Sequence, residues 1–392
     1  MKPGNDLLEA SGTTIFTVMS ALAVEHGAIN LGQGFPDTDG PMGLREVAAG
    51  ALREGPNQYP PLTGVPALRA AVAAANRRFW GLAIDPQREV VVTSGATEAL
   101  AASLMALLNP GDEVVLIEPL YDTYLPMVRL LGAVPRLVRL SPPEWRLDLA
   151  ALAAAFGPRT KAMVLNTPMN PTGKVFSVAE LDGVAGLLAE HDAYAVCDEV
   201  YEHLVFDGAR HVPLMTRAGM RERCLRIGSA GKTFSFTGWK IGYVSGPARL
   251  IGLVAKAHQN LTFTSPPALQ LAVAEGLAMP DGYFAGLAGE LAARRDLLSA
   301  GLRRLGFDVL ASDGTYFLTA GYGRISALGD DAFCRWMTEA AGVTAIPVSA
   351  FYAAEAPRGY VRFAFCKKPE VLEAALARLA AWPAVARAGV AA

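Results

Sequence analysis

The chain has few cysteines and no long apolar run without charges, and each absence argues against a class of protein. Four of the 392 residues are cysteines, at positions 197, 224, 334 and 366, and they form neither a C-x-x-C pair nor a zinc-site spacing, so no metal is expected. Free thiols of a cytoplasmic protein are the simplest interpretation. No stretch of about 20 uncharged apolar residues predicts a membrane span. The polar residues 1–9 do not indicate a signal peptide.

The chain also lacks a strong charge of either sign. Its formal net charge is −2, so no global field favours nucleic acid or an anionic membrane as a partner. Hydrophobic residues make up 52% of the chain, which is enough for a large core and too many for a disordered protein. At roughly 150 residues per domain, the length predicts two or three domains.

Strand and helix patterns alternate through the first two thirds of the chain. Apolar runs that are typical of buried strands begin at Val90, Glu113, Lys161 and Tyr194, and helical patterns lie between them. This alternation predicts an α/β fold in which a mostly parallel sheet is flanked by helices. A further helix is predicted from Pro66 to about residue 80, because proline is favoured at a first helical position.

After about residue 280 the pattern changes. A long basic helix, predicted over 287–305, precedes strands predicted over 315–320 and 360–366, which indicates a smaller α+β domain. We therefore expect three segments. They are an N-terminal arm with part of the small domain (1–42), a large ligand-binding domain (43–279) and a small C-terminal domain (280–392).

The most informative stretch is the glycine-rich segment 228–242, which contains Lys232 and Lys240. It follows a strand predicted from Cys224, and its small residues allow a large ligand to approach the backbone. A desolvated lysine amine beside another cation has a lowered pKa and can form a Schiff base with a carbonyl. The alternative is a glycine-rich turn with two exposed lysines.

Four other strand ends carry unusual residues, and ligands of open parallel sheets bind at such ends. Gly95, Ala96 and Thr97 precede a helix predicted over 98–108, where free N–H groups favour a phosphate, unless this is an ordinary turn. Tyr121 could stack on a flat ring or belong to the core. Asn170 lies between two prolines and could bind a ligand oxygen or close an Asx-turn.

Asp198 and Arg362 are the charged candidates among these strand ends. Asp198 follows the apolar run 193–197, and a buried carboxylate needs a cation, either a protonated ring nitrogen or a core arginine. Tyr201, three residues later, could donate its phenol to the same ring. Arg362 is the one charge on its face of an alternating strand and suits a carboxylate, unless that face is solvated.

One cofactor, pyridoxal 5′-phosphate (PLP), accounts for all of these features together, and such agreement is stronger than any single signal. Arg362 remains for the carboxylate of an amino acid substrate. The pairs are the aldehyde with Lys232; the phosphate with Gly95, Ala96, Thr97, Ser229 and Lys240; the ring nitrogen with Asp198; the phenolic oxygen with Tyr201 and Asn170; and the ring face with Tyr121.

With these motifs the chain resembles the class I/II aminotransferases of PLP fold type I over nearly its whole length. It is most similar to the branch of kynurenine, glutamine and methionine aminotransferases, with some N-succinyldiaminopimelate aminotransferases. The matching motifs are Asn30-Leu31-Gly32-Gln33-Gly34-Phe35-Pro36-Asp37, Asn57-Gln58-Tyr59, Asn170-Pro171-Thr172-Gly173, Cys197-Asp198-Glu199-Val200-Tyr201-Glu202-His203, Ser229-Ala230-Gly231-Lys232, Gly238-Trp239-Lys240 and Val361-Arg362-Phe363.

The resemblance implies further roles and two departures. Gly34 is expected to present its backbone to the substrate, and Tyr59 to reach the phosphate in the partner subunit, which implies a homodimer with shared active sites. Phe16 matches a substrate-facing position that is often tryptophan in the kynurenine-acting enzymes, and Thr97 stands where some of them carry a tyrosine. These two differences argue against a strictly kynurenine-like specificity.

The implied reaction is ping-pong transamination between an L-amino acid and a 2-oxo acid through a Lys232 aldimine, with Asp198 and Tyr201 as further catalytic residues. Residues 10–44, which are expected to line the distal pocket, contain no lysine or arginine. We therefore expect donors such as methionine, glutamine and aromatic or kynurenine-like amino acids, with aspartate poor. The alternatives are N-succinyl-LL-diaminopimelate transamination in lysine biosynthesis, cysteine-S-conjugate β-lyase activity, and a regulatory protein without turnover.

Overall fold

The computed structural model describes residues 2–383. Met1, in the predicted segment 1–42, and residues 384–392, in the predicted segment 280–392, lie outside the described residues. Its strands alternate with helices along the chain. The strands are β1 Ile29–Asn30, β2 Val90–Ser94, β3 Glu113–Glu118, β4 Val134–Arg139, β5 Thr160–Asn166, β6 Tyr194–Asp198, β7 Cys224–Ser229, β8 Ile241–Ser245, β9 Asp308–Val309, β10 Phe317–Gly321, β11 Val343–Thr344, β12 Ile346–Pro347 and β13 Tyr360–Ala364.

Helices flank the main sheet and contact strands of the smaller ones. Among the described helices, none has both the length and the apolar character that crossing a lipid bilayer requires. They are α1 Asp6–Glu9, α2 Ile15–Glu25, α3 Met42–Glu54, α4 Pro66–Trp80, α5 Gly95–Leu107, α6 Tyr124–Leu130, α7 Leu149–Ala155, α8 Val178–Glu190, α9 Ala230–Thr233, α10 Ala248–Leu261, α11 Pro267–Leu277, α12 Asp281–Arg304, α13 Asp330–Ala341 and α14 Pro369–Ala381.

The main sheet has seven strands in the order β2-β8-β7-β6-β5-β3-β4. All its pairs are parallel except those of β8, which runs antiparallel to β2 and β7. Because β8 is reversed, its beginning lies at the edge where β2, β6 and β7 end. The predicted α/β class is confirmed, and Lys240, just before β8, reaches the same edge as Lys232, just after β7.

A second sheet of four antiparallel strands has the order β12-β13-β10-β9. The short strand β1 pairs in parallel with β11, Ile29 opposite Val343, and so ties the N-terminal arm to the C-terminal part of the chain. The division into segments 1–42, 43–279 and 280–392 stays a prediction. The long strand β13 carries Arg362 through the middle of this sheet, opposite Thr319 of β10.

Several predicted boundaries hold and others shift. Helix α4 runs from Pro66 to Trp80 as predicted, and Ser177 and Glu180 form the reciprocal hydrogen bonds of a capping box at α8. Helix α5 begins at Gly95, not at residue 98, because Gly95 has a φ of +75° that lets the chain turn directly from strand into helix. The edge strand β4 was not predicted, because its mostly exposed side chains carry no buried-strand pattern.

Candidate active site

A cavity of about 420 Å³ opens at the carboxyl edge of the seven-stranded sheet. It is lined by residues that follow β2, β3, β5, β6 and β7, together with residues of the N-terminal arm and of β13. The sequence-predicted site residues that line it are Phe16, Gly34, Gly95, Ala96, Thr97, Tyr121, Asn170, Asp198, Tyr201, Ser229, Lys232, Lys240 and Arg362.

Lys232 lies on α9, the single helical turn after β7, and its amine points into the cavity. Burial lowers the pKa of this amine to about 8. Lys232 Nζ donates to the hydroxyl of Tyr316 at 2.8 Å, and that hydroxyl donates to the carbonyl of Gly34 at 2.6 Å. The alternative of an exposed lysine at position 232 is thus wrong, and the amine is held in place while part of it stays unprotonated near neutral pH.

Asp198 ends β6 at the floor of the cavity and is buried. Its Oδ2 accepts a hydrogen bond from the hydroxyl of Tyr124 at 2.6 Å, and Asp198 forms no ion pair with any arginine among residues 2–383. The alternative of a core salt bridge is therefore wrong. Burial raises the pKa of this carboxyl group, while the Tyr124 hydrogen bond opposes that rise. A cationic N–H group of a ligand in the cavity would stabilise the ionised form.

Gly95 and Lys240 form a cradle at the start of α5. A Cβ on Gly95 would lie 3.2 Å from Lys240 Nζ, so the missing side chain leaves room between the helix N-terminus and the amine. Lys240 is exposed, so the alternative of an exposed lysine holds at this position. Its backbone is left-handed, with a φ of +53°. Free N–H groups, the helix dipole and an ammonium group at one point favour a phosphate.

Arg362 is only 1% exposed, so the predicted alternative of a solvated strand face is wrong. Its Nη1 donates to Asn170 Oδ1 at 2.9 Å, and its Nη2 donates to the carbonyl of Gly32. Its Nε is buried and has no hydrogen-bond partner in the part of the chain that the structure describes. Burial lowers the pKa of this guanidinium to about 10. A buried cation that is paired with neutral groups favours an anionic ligand such as a carboxylate.

The charges of the cavity leave room for such anions. Among the described residues that line it, the cations are Lys232, Lys240 and Arg362, and the carboxylates are Asp198 and Asp122. Burial raises the pKa of the Asp122 carboxyl group. The site therefore fits a ligand that carries negative charge at two places.

Three contributors to this site were missed by the sequence analysis, and one predicted residue lies elsewhere. Tyr316, Asp122 and the hydrogen bond from Tyr124 to Asp198 were not predicted, because no local pattern marks, for example, a tyrosine that meets a lysine 84 residues away. Tyr59 does not line the cavity of its own chain. It is 81% exposed and packs edge-on against Phe263, with ring centroids 5.3 Å apart.

Comparison with known proteins identifies the family. The family model described as aminotransferase class I and II matches residues 26–379. The chain belongs to the class I and II aminotransferases. It is a PLP-dependent enzyme of fold type I, and its substrates are an amino acid and a 2-oxo acid.

Individual relatives agree with the branch indicated by the motifs. The chain is 47% identical to a probable N-succinyldiaminopimelate aminotransferase, DapC, of Mycobacterium tuberculosis, over 95% of this chain and 96% of the relative. It is 39% identical to kynurenine–oxoglutarate transaminase 3 of Mus musculus, over 96% and 89%. The crystal structure of YbdL from Escherichia coli, identified as a methionine aminotransferase, covers 97% of this chain and 99% of its own at 41% identity and a TM-score of 0.94.

The cavity of this aminotransferase fits PLP. The cradle between Gly95 and Lys240 has the room and the charge for a phosphate. Asp198 is a buried carboxylate, and its side-chain partner among the described residues is the neutral phenol of Tyr124. Its negative charge is therefore available to pair with a protonated ring nitrogen. Tyr201 is buried at the cavity, with its ring centroid 5.7 Å from Lys232 Nζ, and burial raises the pKa of its phenol, so the phenol keeps the proton that it can donate.

Proposed function

We propose that the enzyme transfers the amino group of an L-amino acid with an apolar, thioether or aromatic side chain to a 2-oxo acid. Methionine, glutamine, aromatic and kynurenine-like amino acids are the proposed donors, and the reaction is ping-pong. The observation that carries this proposal is the composition of the cavity. Beyond the cations assigned to the cofactor and to the α-carboxylate, its described lining offers Phe16, Phe35 and Tyr121 and no further positive charge.

PLP, when bound, supplies an aldehyde for the amine of the donor and a ring that accepts the electron pair of the bond broken at Cα. We assign the phosphate to the cradle of Gly95, Ala96, Thr97, Ser229 and Lys240. Asp198 would hold a proton at the ring nitrogen, Tyr201 and Asn170 would bind the phenolic oxygen, and Tyr121 would cover the ring face.

Lys232 moves the proton in this proposal. Its pKa of about 8 leaves a fraction of the amine unprotonated near neutral pH, as a base requires. Tyr316 accepts a hydrogen bond from this amine, so it holds the nitrogen at one place when the lysine is free. Lys232, Asp198 and Tyr201 are thus the proposed catalytic residues.

The α-carboxylate of the donor is assigned to Arg362, together with Asn170. Asn170 Oδ1 already accepts from Arg362 Nη1, which fixes the plane of the guanidinium. Phe317 lies under this group, with the guanidinium carbon 3.9 Å from the ring centroid. Gly34 lies directly against the ring of Phe317, since a Cβ at this position would overlap that ring. A planar and preordered guanidinium binds a carboxylate through two parallel hydrogen bonds.

A second candidate is N-succinyldiaminopimelate transamination. The observation in its favour is the 47% identity to the probable DapC of Mycobacterium tuberculosis. The cavity argues against it, because the distal succinyl and diaminopimelate carboxylates would meet no additional cation among the described lining residues. The substrate comparison below separates the two candidates.

We also propose a homodimer in which Tyr59 completes the site of the partner subunit. Apart from their mutual contact, Tyr59 and Phe263 leave much of their aromatic surface exposed. Met42 and Leu52 add exposed apolar side chains on α3, which packs against α11. An exposed apolar area of this kind is typical of a protein–protein interface.

A cytoplasmic location is proposed as well, and it is supported by four free and buried cysteines.

The experiment is a donor screen with kcat/KM measured for methionine, phenylalanine, glutamine, aspartate and N-succinyldiaminopimelate, with 2-oxoglutarate as acceptor. We expect the first three to be used well and aspartate poorly. If aspartate is the best donor, the argument from the cavity is wrong; if the succinylated donor wins by orders of magnitude, the second candidate is right. Pyruvate with a free thiol as products from S-conjugates would indicate β-lyase activity. Borohydride reduction followed by mass spectrometry should locate the cofactor on Lys232.

A further inference from the structure

A group of buried polar side chains lies behind the cofactor-facing residues, on the side away from the cavity. We name it the Arg226 cluster; Trp80 is partly buried and its other members are buried. None of them lines the cavity, and the mechanism proposed above does not use them. Its members are Asn76, Trp80, Glu199, Glu202, His211 and Arg226.

Arg226 is the centre of this cluster, and each of its three guanidinium nitrogens has a partner. Nε binds Glu199 Oε2 at 2.5 Å, Nη2 binds Glu202 Oε2, and Nη1 donates to Asn76 Oδ1 at 3.0 Å. A planar guanidinium with all three nitrogens bound cannot rotate or shift without breaking at least one of these bonds.

The two carboxylates are fixed from other directions as well. Glu199 Oε2 lies 3.1 Å from Nε2 of His211, and its Oε1 accepts from the backbone N–H of Leu214 at 3.3 Å. Glu202 Oε2 accepts from the indole N–H of Trp80 at 2.7 Å. Both side chains are therefore held by partners from separate parts of the chain.

The positions of these residues in the sequence connect the cluster with the active site. Glu199 directly follows Asp198, and Glu202 directly follows Tyr201. Arg226 lies on β7, the strand that leads to Ser229 and Lys232. One guanidinium thus joins the turn that carries the ring-binding residues to the strand that leads to the lysine.

Beyond β6, the backbone hydrogen bonds within this turn are local, from Glu202 N to Glu199 O at 2.9 Å and from Leu204 N to Tyr201 O at 2.8 Å. Pairing between β6 and β7 ends at Asp198, opposite Ile227, and the last bond across the pair runs from Glu199 N to the carbonyl of Ile227 at 3.1 Å. Beyond that point the turn continues to Tyr201 without strand partners. Side-chain contacts must therefore set where Tyr201 lies relative to β7.

From this arrangement, and on the basis of the proposed function, we propose that Arg226 is a positioning residue of the transamination site. It binds Glu199 and Glu202 from behind and so fixes Asp198 and Tyr201 relative to Lys232. Buried ion pairs are weak contributors to net stability, because desolvation offsets their attraction, but removing one partner leaves an unpaired charge. A role in geometry explains why two carboxylates and a guanidinium lie together in the core.

The test compares Glu202→Gln with Glu113→Gln. Both replace a buried glutamate that binds arginine, but Glu113 lies at the beginning of β3, at the opposite edge of the sheet, where it binds Arg136 and Arg159. Each variant is measured for its melting temperature, the affinity of the cofactor-free protein for PLP, the pH midpoint of the bound cofactor's absorbance, and kcat and KM.

We expect Glu202→Gln to lower kcat by about 10- to 100-fold with a smaller change in KM, since small misplacements of catalytic groups have effects of this size. PLP affinity should fall and the absorbance midpoint should move, because Asp198 and Tyr201 shift relative to the ring. Glu113→Gln should lower the melting temperature and leave PLP affinity, the absorbance midpoint, kcat and KM unchanged. If Glu202→Gln also loses melting temperature alone, with kcat, PLP affinity and midpoint as in the wild type, the proposal is overturned.

A second variant covers the case in which Glu202→Gln does not fold. Arg226→Met combined with Glu199→Gln and Glu202→Gln removes all three charges and leaves no unpaired ion. Wild-type kcat and absorbance midpoint in this triple variant would overturn the proposal, whereas a folded protein with lowered kcat and a moved midpoint supports it. If the wild type itself does not attach PLP to Lys232, the proposed function fails; if the wild type does and the variants match it, only the role of Arg226 fails.

Discussion

The amine of Lys232 and the phenol of Tyr316 are 2.8 Å apart, and this contact joins the two sheets at the active site. Lys232 is the third residue after the end of β7 in the large sheet, while Tyr316 directly precedes β10 of the second sheet. Burial raises the pKa of the Tyr316 phenol, so the hydroxyl keeps its one proton. It donates that proton to Gly34 and therefore accepts from the lysine.

Tyr316→Phe removes both hydrogen bonds at little change in volume. We expect the cofactor to remain on Lys232 and kcat to fall by about tenfold, because a free amine without its acceptor spends less time in the reactive position. Stopped-flow and steady-state kinetics measure the effect. Tyr322→Phe is the matched control, since it removes a buried phenol that donates to Leu328 in the C-terminal part of the chain. Equal losses in both variants would contradict a specific role of Tyr316.

Lys232→Met tests the lowered pKa through stability. The folded-state pKa of about 8 lies below the ordinary value of 10.5, so between these values the unfolded chain binds a proton that the folded chain does not. Stability from this group therefore rises with pH across the window, and below about pH 8 its charge destabilises the fold. The cofactor-free variant should be more stable than the wild type at about pH 7, and this gain should shrink at about pH 10.

Urea unfolding of both cofactor-free proteins at the two pH values measures this difference. Lys256→Met, at an exposed position of α10, is the control and should show no such pH-dependent gain. A gain for Lys232→Met that is the same at both pH values would show that the amine is not titrating in the window. The same variant should have no transaminase activity, because it lacks the amine.

Asp198→Asn and Tyr124→Phe probe the carboxylate under the ring. Asp198→Asn should still bind the cofactor but lose kcat by orders of magnitude, since a ring without a proton on its nitrogen is a poorer electron acceptor. Tyr124→Phe removes one hydrogen bond of 2.6 Å to that carboxylate and should cost on the order of tenfold in kcat. If Asp198→Asn has a near-normal kcat, the role of Asp198 is structural only.

Mixed dimers test the contribution of Tyr59 to the partner site. Protomers with Tyr59→Phe are combined with protomers with Lys232→Ala, and the heterodimers are purified with two different tags. If Tyr59 crosses the interface, one site carries both lesions and the other none, so the heterodimer has about half the wild-type activity. If the two residues act within one chain, activity is half that of the Tyr59→Phe homodimer. The second result would refute the crossing.

Asp122→Asn tests the carboxylate at the cavity wall as a determinant of donor choice. Removing its negative charge should raise kcat/KM for aspartate and glutamate by about tenfold and leave methionine nearly unchanged, because only an acidic side chain is repelled. The quantity to measure is the ratio of kcat/KM for aspartate to kcat/KM for methionine, in the variant and in the wild type. A variant that gains no activity with acidic donors would show that Asp122 does not face the donor side chain.

Much of the site could be predicted from the sequence because each ligand-binding side chain lies beside a local pattern. Lys232 stands in a glycine-rich turn after a strand, Asp198 ends an apolar run, and Gly95 begins a helix. Strand ends of a parallel sheet meet at one edge, so a correct strand pattern brings these residues together. The family motifs then extended the prediction to Gly34 and Tyr59.

Other features could be decided only by the tertiary structure, because they depend on contacts between distant parts of the chain. Tyr316 meets Lys232, Tyr124 meets Asp198, and Arg226 meets both Glu199 and Glu202, and no spacing in the sequence encodes these pairs. The burial of Arg362 was likewise undecided until two strands closed around it. The sequence determined the elements and their chemistry, since both follow from local pattern; packing alone determined which side chains share a hydrogen bond, since that depends on how the elements meet.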